Sequence, residues 1–271
     1  MAVCRLCPHG CEIPEGQRGF CLARANRGGE LVAESFGRVT SMALDPIEKK
    51  PLRHFCPGSL ILSLGSYGCN FRCAFCQNHA ISTREAPWQS VPPEEVAALS
   101  LRRAPEGNIG VAFTYNEPLI GYEFVRECAG LIRAQGQRNV LVTNGFLNPE
   151  PFRALLPLID AMNIDLKGFT SRFYEDVHGG LEAVKAAIAA AAQACHVEVT
   201  TLIIPGKNDR AEEMESLTEW LAGIDRAIPL HITRFFPRHK MSGTPPTPVA
   251  ALRLLAGVAE KRLQHVYVGN C

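Results

Sequence analysis

The chain has 271 residues, a length that fits one large α/β domain or such a domain with a small appendage. Its 28 basic and 27 acidic side chains give a formal net charge of +1, so bulk charge supports neither a nucleic-acid partner nor an anionic membrane partner. Apolar residues make up 46% of the chain, but no run reaches the roughly 18 apolar residues of a membrane span, and the first residues do not resemble a signal peptide. We therefore expect a core-forming protein of the reducing cytoplasm.

Cysteine is the unusual feature of the composition, with 11 residues. In a reducing compartment, clustered cysteines are more often metal ligands or catalytic groups than disulfides. Two groups stand out, an early one of Cys4, Cys7, Cys11 and Cys21 and a later one of Cys69, Cys73 and Cys76. The scattered cysteines are Cys56, Cys128, Cys195 and Cys271. The distribution predicts two metal sites.

The early group lies in a segment, residues 1–58, that is rich in Cys, Gly, Pro and charge, with one plausible hairpin around residues 31–42. Its C-x2-C-x3-C-x9-C pattern supplies four thiolates for a closed zinc site or for a complete second iron–sulfur cluster. His9 is an alternative fourth ligand that would leave Cys21 free. Because the segment has too few apolar residues to fold alone, we expect metal binding to order it. The sequence predicts a cysteine-rich metal-binding appendage and linker over residues 1–58.

Residues 59–271 alternate between apolar runs and helical periodicity. The predicted strands are 60–62, 110–113, 140–142, 162–165, 197–202, 230–233 and 266–268. The predicted helices are 92–103, 119–135, 149–158, 181–194, 210–223 and 247–263. Repeated strand–helix units predict parallel strands, and six of them favour an α/β fold of the partial (β/α)6, TIM-type barrel class. A doubly wound open sheet is the competing architecture.

The later cysteines follow the first strand of this region, in the sequence Gly68-Cys69-Asn70-Phe71-Arg72-Cys73-Ala74-Phe75-Cys76. Three thiolates in one short loop suit an iron–sulfur cluster. A 4Fe–4S cluster with three protein ligands leaves one iron open to a cofactor or substrate, just as a catalytic zinc keeps an open position. The alternative is a zinc knuckle with His79 as a distant fourth ligand.

This C-x3-C-x2-C motif, with the aromatic Phe75 before its last cysteine, resembles the signature of the radical S-adenosylmethionine (SAM) superfamily. The resemblance implies a catalytic cluster on the three thiols, with Phe75 in the cofactor site. It implies that the open iron binds the amino and carboxylate groups of SAM, and that reductive cleavage gives methionine and a hydrogen-abstracting 5′-deoxyadenosyl radical. The electron donor it implies is a flavodoxin- or ferredoxin-type protein.

A second motif, Thr114-Tyr115-Asn116-Glu117-Pro118, follows the next strand. The superfamily carries a motif there that accepts hydrogen bonds from the amino group of SAM, and the carboxylate of Glu117 can fill this role. Glu117 can also cap the helix that follows, with Pro118 at its first position. By the same resemblance, Thr143 and Asn144 after the third strand line the adenosyl site.

The later strands carry three further candidates. Asp165 and Lys167, after the fourth strand, are implied by the resemblance to hold the carboxylate of SAM, with Asp165 near a monovalent cation. Lys167 is a cation suited to a carboxylate, and an unpaired acid at Asp165 would be costly. His231, on the sixth strand, is implied to lie near the nucleoside. Otherwise His231 is a core histidine and the Asp-Lys pair belongs to the surface.

Over the whole chain, the motifs are similar to those of pyruvate formate-lyase activating enzyme-like radical SAM proteins, in particular the members of the AmmeMemoRadiSam system. The segments Asp45–Leu52 and Val266–Asn270 contribute to this similarity. The implied function is activation of a partner protein by making a glycyl radical in it. The alternatives are direct radical modification of a small molecule or peptide, and a non-catalytic adaptor in which both cysteine groups hold zinc.

Overall fold

The structure, a computed structural model, describes residues 1–271 and is built around one eight-stranded sheet. The strands are β1 (Ala2–Val3), β2 (Glu12–Ile13), β3 (Arg24–Arg27), β4 (Glu30–Ala33), β5 (Arg38–Val39), β6 (Ser41–Pro46), β7 (Leu60–Gly65), β8 (Gln89–Ser90), β9 (Asn108–Phe113), β10 (Arg138–Thr143), β11 (Ala161–Asp165), β12 (His196–Ile203), β13 (Leu230–Arg234) and β14 (Val266–Gly269). The helices are α1 (His79–Ser82), α2 (Pro93–Arg102), α3 (Tyr122–Ala134), α4 (Pro149–Leu155), α5 (Ser171–Asp176), α6 (Leu181–Ala192), α7 (Ala211–Ile224) and α8 (Val249–Ala259).

The main sheet has the order β14-β13-β12-β11-β10-β9-β7-β6. Each strand from β7 through β14, β8 excepted, pairs in parallel with the next one along the chain, and these strands match the predicted ones. The α/β class with a mostly parallel sheet is confirmed. Because the strand order never reverses, the doubly wound alternative is wrong. β6 and β14 are the two edges and are not hydrogen-bonded to each other, as in a partial barrel.

The helices between these strands cover one face of the sheet. α3 shows why its residues form a helix, because Phe124, Val125, Cys128 and Ile132 recur at helical spacing and are all buried. Cys128 is fully buried in this apolar stripe, where a free cysteine behaves as a small hydrophobe. α1 and α5 are additional short helices that the sequence did not predict. None of the helices is long and apolar enough to cross a membrane.

The N-terminal region differs from its prediction. Its hairpin is formed by β3 and β4, earlier than the predicted range of residues 31–42. β6 pairs antiparallel with β7 over its full length and covers the edge that β7 would otherwise expose. The main sheet therefore begins before residue 59, where the domain boundary is predicted.

Residues 47–58, which we call the floor segment, close one end of the curved sheet. Ile47 and Leu52 are fully buried against Ala112, Val140 and Ala161, which are direct register neighbours on the face away from the helices. The backbone carbonyl of Pro51 accepts a hydrogen bond of 2.9 Å from the amide of Asn163. The floor segment thus fills the amino-terminal end of the barrel interior and leaves the carboxyl ends of the strands for the site.

Gly110 in β9 permits a close approach of two strands. Its φ is +156°, and a Cβ added there would lie 1.9 Å from the backbone oxygen of Arg138 in β10. We expect Gly110→Ala to lower the free energy of unfolding by about 3 kcal/mol, since only movement of the backbone relieves this clash. Urea denaturation of the two proteins measures the difference.

Gly130→Ala is the matched control, because Gly130 lies within α3 and a Cβ there would contact nothing within 4 Å. It should stabilise the protein by up to about 1 kcal/mol through helix propensity. Equal urea midpoints for the Gly110 variant and the wild type would contradict the close approach.

Candidate functional site

The cluster loop, Gly68–Cys76, starts at the carboxyl end of β7, and all three of its thiols are partly buried. Burial raises the pKa of Cys69 well above its ordinary value, and the negative charges of Glu117 and of the neighbouring thiols raise it further. Burial also raises the pKa of Cys73 to about 11, although the ammonium of Lys167 opposes the rise. The three thiols therefore share one electrostatic environment with Glu117 and Lys167.

Three thiols on one loop form a donor set that suits an iron–sulfur cluster. The backbone N–H of Phe71 donates to Sγ of Cys69 over 3.3 Å, and such donors favour the thiolate that a metal requires. The loop supplies three thiols, which leave one iron of a four-iron cluster open, whereas a closed zinc site needs a fourth ligand. His79, the alternative zinc ligand, instead stacks on His239 with ring centroids 4.4 Å apart.

Glu117 is buried at the carboxyl end of β9. Its Oε1 accepts hydrogen bonds from the Leu119 amide at 3.0 Å and the Thr143 hydroxyl at 2.7 Å, and its Oε2 accepts one from the Asn144 amide at 2.7 Å. The helix-capping role foreseen for Glu117 is therefore realised at the short 3-10 turn Pro118–Gly121. A carboxylate offers about four acceptor positions, so Oε2 keeps one for a further donor such as the SAM amino group.

Thr143 and Asn144 end β10 and connect Glu117 to the cluster loop. Nδ2 in the side chain of Asn144 donates to Oδ1 of Asn70 at 2.8 Å and lies 3.8 Å from Sγ of Cys69. Both residues are thus engaged in contacts within the protein, and their predicted place beside an adenosyl group remains a prediction.

Asp165 and Lys167 leave the end of β11 and form an ion pair of 2.9 Å. Burial disfavours the charge on Lys167, but Asp165 and then Cys73 raise its pKa above the ordinary value, so the side chain stays cationic. The predicted pair is therefore present, and its ammonium lies in the electrostatic range of the cluster loop. Phe75 packs in the same region, with its ring centroid 6.1 Å from that of Phe173.

His231 lies two strands away from Asp165, and both are register neighbours of Thr200. His231 is the second residue of β13, and its Nε2 lies 2.6 Å from Oε2 of Glu198, which is fully buried. Glu198 also accepts from the backbone N–H of His54 at 2.7 Å and contacts Nε2 of His196 at 3.0 Å. A buried carboxylate thus binds one ring nitrogen of His231, and the place of His231 near the nucleoside stays a prediction.

The early cysteines meet in one place. Cys4, Cys7, Cys11 and Cys21 all line a single small cavity, together with His9, Arg24 and Ile120. The turn from Cys7 to Gly10 is closed by a 3.2 Å backbone hydrogen bond, and the Cys4 amide donates to the Cys11 carbonyl at 2.8 Å. Burial raises the pKa of Cys7 to about 11, the His9 amide opposes the rise, and the other three thiols add to it. The predicted four-thiol set is therefore gathered, with Cys21 in it.

The sequence analysis missed a polar group in the barrel interior. Asp45 in β6 accepts from Lys50 and from the hydroxyl of Tyr115, both at 2.8 Å. Burial opposes ionisation of Asp45, yet these bonds lower its pKa to about 2. Tyr115 has a φ of +70°, which is a strained conformation for an aromatic residue. The sequence offered one indication of this group, because Tyr115 lies inside the second motif, between Thr114 and Asn116.

Two further interior atoms have no hydrogen-bond partner. Oδ1 of Asn163 and Oγ1 of Thr200 are both buried and unpaired. Thr200 is the register neighbour of Asp165, and Asn163 lies two residues earlier on the same face of β11. The interior wall below the Asp165–Lys167 pair therefore offers one acceptor and one hydroxyl to a polar group.

Comparison with known proteins agrees with this geometry. A family model described as the radical SAM superfamily matches residues 64–221. Uncharacterized protein MJ0808 of Methanocaldococcus jannaschii is 40% identical, over 98% of this chain and 80% of its own length. A solved domain of pyruvate-formate lyase-activating enzyme from Bacteroides vulgatus is similar with a TM-score of 0.51 at 20% identity, over 59% of this chain and 99% of that domain. A radical SAM methyltransferase from Sphaerobacter thermophilus gives a TM-score of 0.61 at 15% identity, over 79% of this chain and 67% of that one.

QueE from Escherichia coli is also similar, with a TM-score of 0.54 at 16% identity over 86% of this chain and 93% of that one. At these identities the solved structures share a fold with this chain. They do not indicate a common substrate.

Glu117 should make stability depend on pH. Burial raises its pKa from 4.5 to about 7, so its protonated form is favoured in the folded chain. Its contribution is fully present below pH 4.5 and is lost as the pH rises through 7, a decline of about 3 kcal/mol. We expect Glu117→Gln to flatten this part of the pH profile, measured by urea denaturation of the reduced, metal-free chain.

Thr143→Val provides a second variant with the opposite effect, because it removes a donor that stabilises the charged form of Glu117. The decline in stability should then extend to higher pH. A Glu117→Gln profile parallel to that of the wild type would exclude Glu117 as its source.

Proposed function

Because the chain belongs to the radical SAM superfamily, we propose that it activates a partner protein by abstracting hydrogen from one of that partner's glycines. A 4Fe–4S cluster on Cys69, Cys73 and Cys76 would supply the electron that splits SAM into methionine and the 5′-deoxyadenosyl radical. The observation that carries the radical SAM chemistry in this proposal is that Asn144 connects Cys69 of the cluster loop to Glu117 at the carboxyl ends of the strands. The proposed electron donor is a flavodoxin- or ferredoxin-type protein.

The residues around the loop have separate proposed roles. The ammonium of Lys167 binds the SAM carboxylate, and Asp165 holds that ammonium in place and faces a monovalent cation. The free acceptor position on Oε2 of Glu117 takes an N–H of the SAM amino group. Thr143 and Asn144 orient Glu117 and flank the adenosyl group.

The open side of the sheet supports a protein substrate. β6 and β14 are unpaired edges, while the floor segment bridges them at the amino-terminal end, where His54 contacts Tyr267 at 2.6 Å. A loop of a partner protein would reach the cluster loop at the carboxyl ends of the strands.

Direct modification of a small polar molecule is the second candidate. The unpaired Oδ1 of Asn163 and Oγ1 of Thr200 favour it, because a buried polar atom without a partner is costly until a ligand supplies one. A hydroxyl or amide group bound between them would bring a small substrate below the Asp165–Lys167 pair.

We further propose that the four early thiols hold a second metal centre. Their common cavity is small and is also lined by Ile120, which favours one tetrahedral ion such as zinc over a second four-iron cluster. Binding of the ion would require the thiols to lose their protons.

Electron paramagnetic resonance separates the two substrate classes. The reduced enzyme with SAM is incubated with candidate glycyl-radical partner proteins, and a protein-centred doublet is the expected result. Formation of 5′-deoxyadenosine with no doublet for any partner would favour the small-molecule reaction. Absence of both a brown cluster and 5′-deoxyadenosine after anaerobic reconstitution would favour the zinc-binding adaptor.

Cys73→Ala should remove the cluster and all formation of 5′-deoxyadenosine, because two thiols cannot hold the cluster in this loop. The metal at the early cysteines should remain. Iron, sulfide and zinc analysis measures both sites. Cys128→Ala, at a buried thiol far from either site in sequence, is the control and should keep full iron content. Loss of both metals from the Cys73 variant would show that the two groups share one site.

Lys167→Met should weaken SAM binding by about tenfold or more, because it removes a charge-assisted hydrogen bond worth about 1.5–3 kcal/mol. Equilibrium binding of SAM to the reconstituted enzyme measures the effect. Lys207→Met is the matched control, since Lys207 forms an ion pair of the same 2.9 Å length with Asp176 on the exposed surface. Equal losses in both variants would argue against a SAM contact.

A further inference from the structure

The cysteine module, by which we mean residues 1–24 with their four early thiols, packs directly against the cluster loop. Nε2 of His9 lies 2.7 Å from the backbone oxygen of Asn70, between two cluster cysteines. A carbonyl oxygen can only accept, so Nε2 of His9 carries the hydrogen. The His9 ring is held between Phe20 and Phe146, at centroid distances of 4.5 and 5.3 Å.

Asn70 passes this contact on to the cluster ligand and to Glu117. It is fully buried, and its amide donates to the Phe146 carbonyl at 2.7 Å. Its Oδ1 accepts from the side chain of Asn144, whose amide also reaches Sγ of Cys69 and whose backbone N–H binds Glu117. Three successive contacts, from His9 to Asn70, from Asn70 to Asn144 and from Asn144 to Cys69, therefore connect the His9 side chain to a cluster ligand.

Two more contacts join the module to the loop. The guanidinium of Arg72 donates to the backbone oxygen of Phe20, lies 3.9 Å from the centroid of the Phe20 ring, and also donates to the Cys69 carbonyl at 2.7 Å. Gly68 has a φ of +84°, and a Cβ there would lie 2.2 Å from the backbone oxygen of Cys21. The cluster loop thus rests on the backbone beside one of the early thiols.

We propose that the cysteine module is a metal-dependent brace of the cluster loop, in which the ion on Cys4, Cys7, Cys11 and Cys21 fixes His9, and His9 positions Asn70, Asn144 and Cys69. The proposal rests on the second metal centre proposed above. His9 follows Cys7 by two residues, so the turn that presents a thiol to the ion also presents the imidazole to the loop. Hydrogen bonds around metal ligands orient those ligands and tune the metal. His9 and Asn70 are positioning residues in this arrangement.

The test compares reconstituted holoenzymes by zinc and iron content, by the resonance spectrum of the reduced cluster with SAM, and by its reduction potential. His9→Ala should keep both metals, shift the spectrum and the potential, and slow 5′-deoxyadenosine formation by about tenfold. His9→Gln should restore the wild-type spectrum, since its amide can donate to the same carbonyl. His178→Asn is the control, because His178 packs on the same Phe20 ring at 5.7 Å but lies outside the hydrogen-bond chain.

Cys11→Ser, which removes one thiol of the early set, should lose zinc and shift the cluster spectrum in the same direction as His9→Ala. If the ion acts through His9, the double variant should show no larger shift than either single variant. An unchanged cluster spectrum after loss of zinc would overturn the proposal, as would additive shifts. A wild-type enzyme with four irons and no second metal would overturn the metal-dependent brace while leaving the radical SAM reaction intact, because the cluster is measured separately.

Discussion

The buried carboxylate of Glu117 joins the carboxyl ends of β9 and β10, and the arrangement of the site depends on it. A buried negative charge at this position is costly without partners, and three hydrogen-bond donors from two chain segments supply them. The hydrogen bonds from these donors fix the turn after Glu117 and the backbone of Asn144. Asn144 then directs its side chain to Asn70 and Cys69. One desolvated acid thus sets the relative position of the second motif and the cluster loop.

Much of the barrel follows from local sequence. Buried parallel strands appear in the sequence as short apolar runs, and the seven predicted runs correspond to β7 and β9–β14. β8 lies outside the main sheet. β6 escaped prediction because an edge strand that carries Asp45 and Pro46 lacks the apolar signal of the central strands. The cysteine spacing likewise predicted both thiol sets, since a few tight turns can bring ligands of one short segment together.

The features of the site that the sequence did not predict depend on contacts between distant segments. His231 carries no local sign that its ring binds Glu198, which lies 33 residues earlier on the neighbouring strand. His9 and Asn70 are separated by 61 residues, so the hydrogen bond between them cannot be inferred from either motif. The ion pair of Asp45 and Lys50 is local in sequence, yet its role in holding Tyr115 becomes visible only when β6 joins the sheet.

The floor of the barrel has a consequence for how the chain folds. His54 in the floor segment contacts Tyr267 in β14, a partner 213 residues later in the sequence. The apolar partners of Ile47 and Leu52 in the same segment extend to Ala161. These two residues therefore lack their full apolar surroundings until most of the chain has emerged from the ribosome. Long-range closure of this kind lowers folding rates, because the entropy of a large loop is lost before its contacts form. The last strand to be synthesised thus makes a contact with a segment that is among the first to be made.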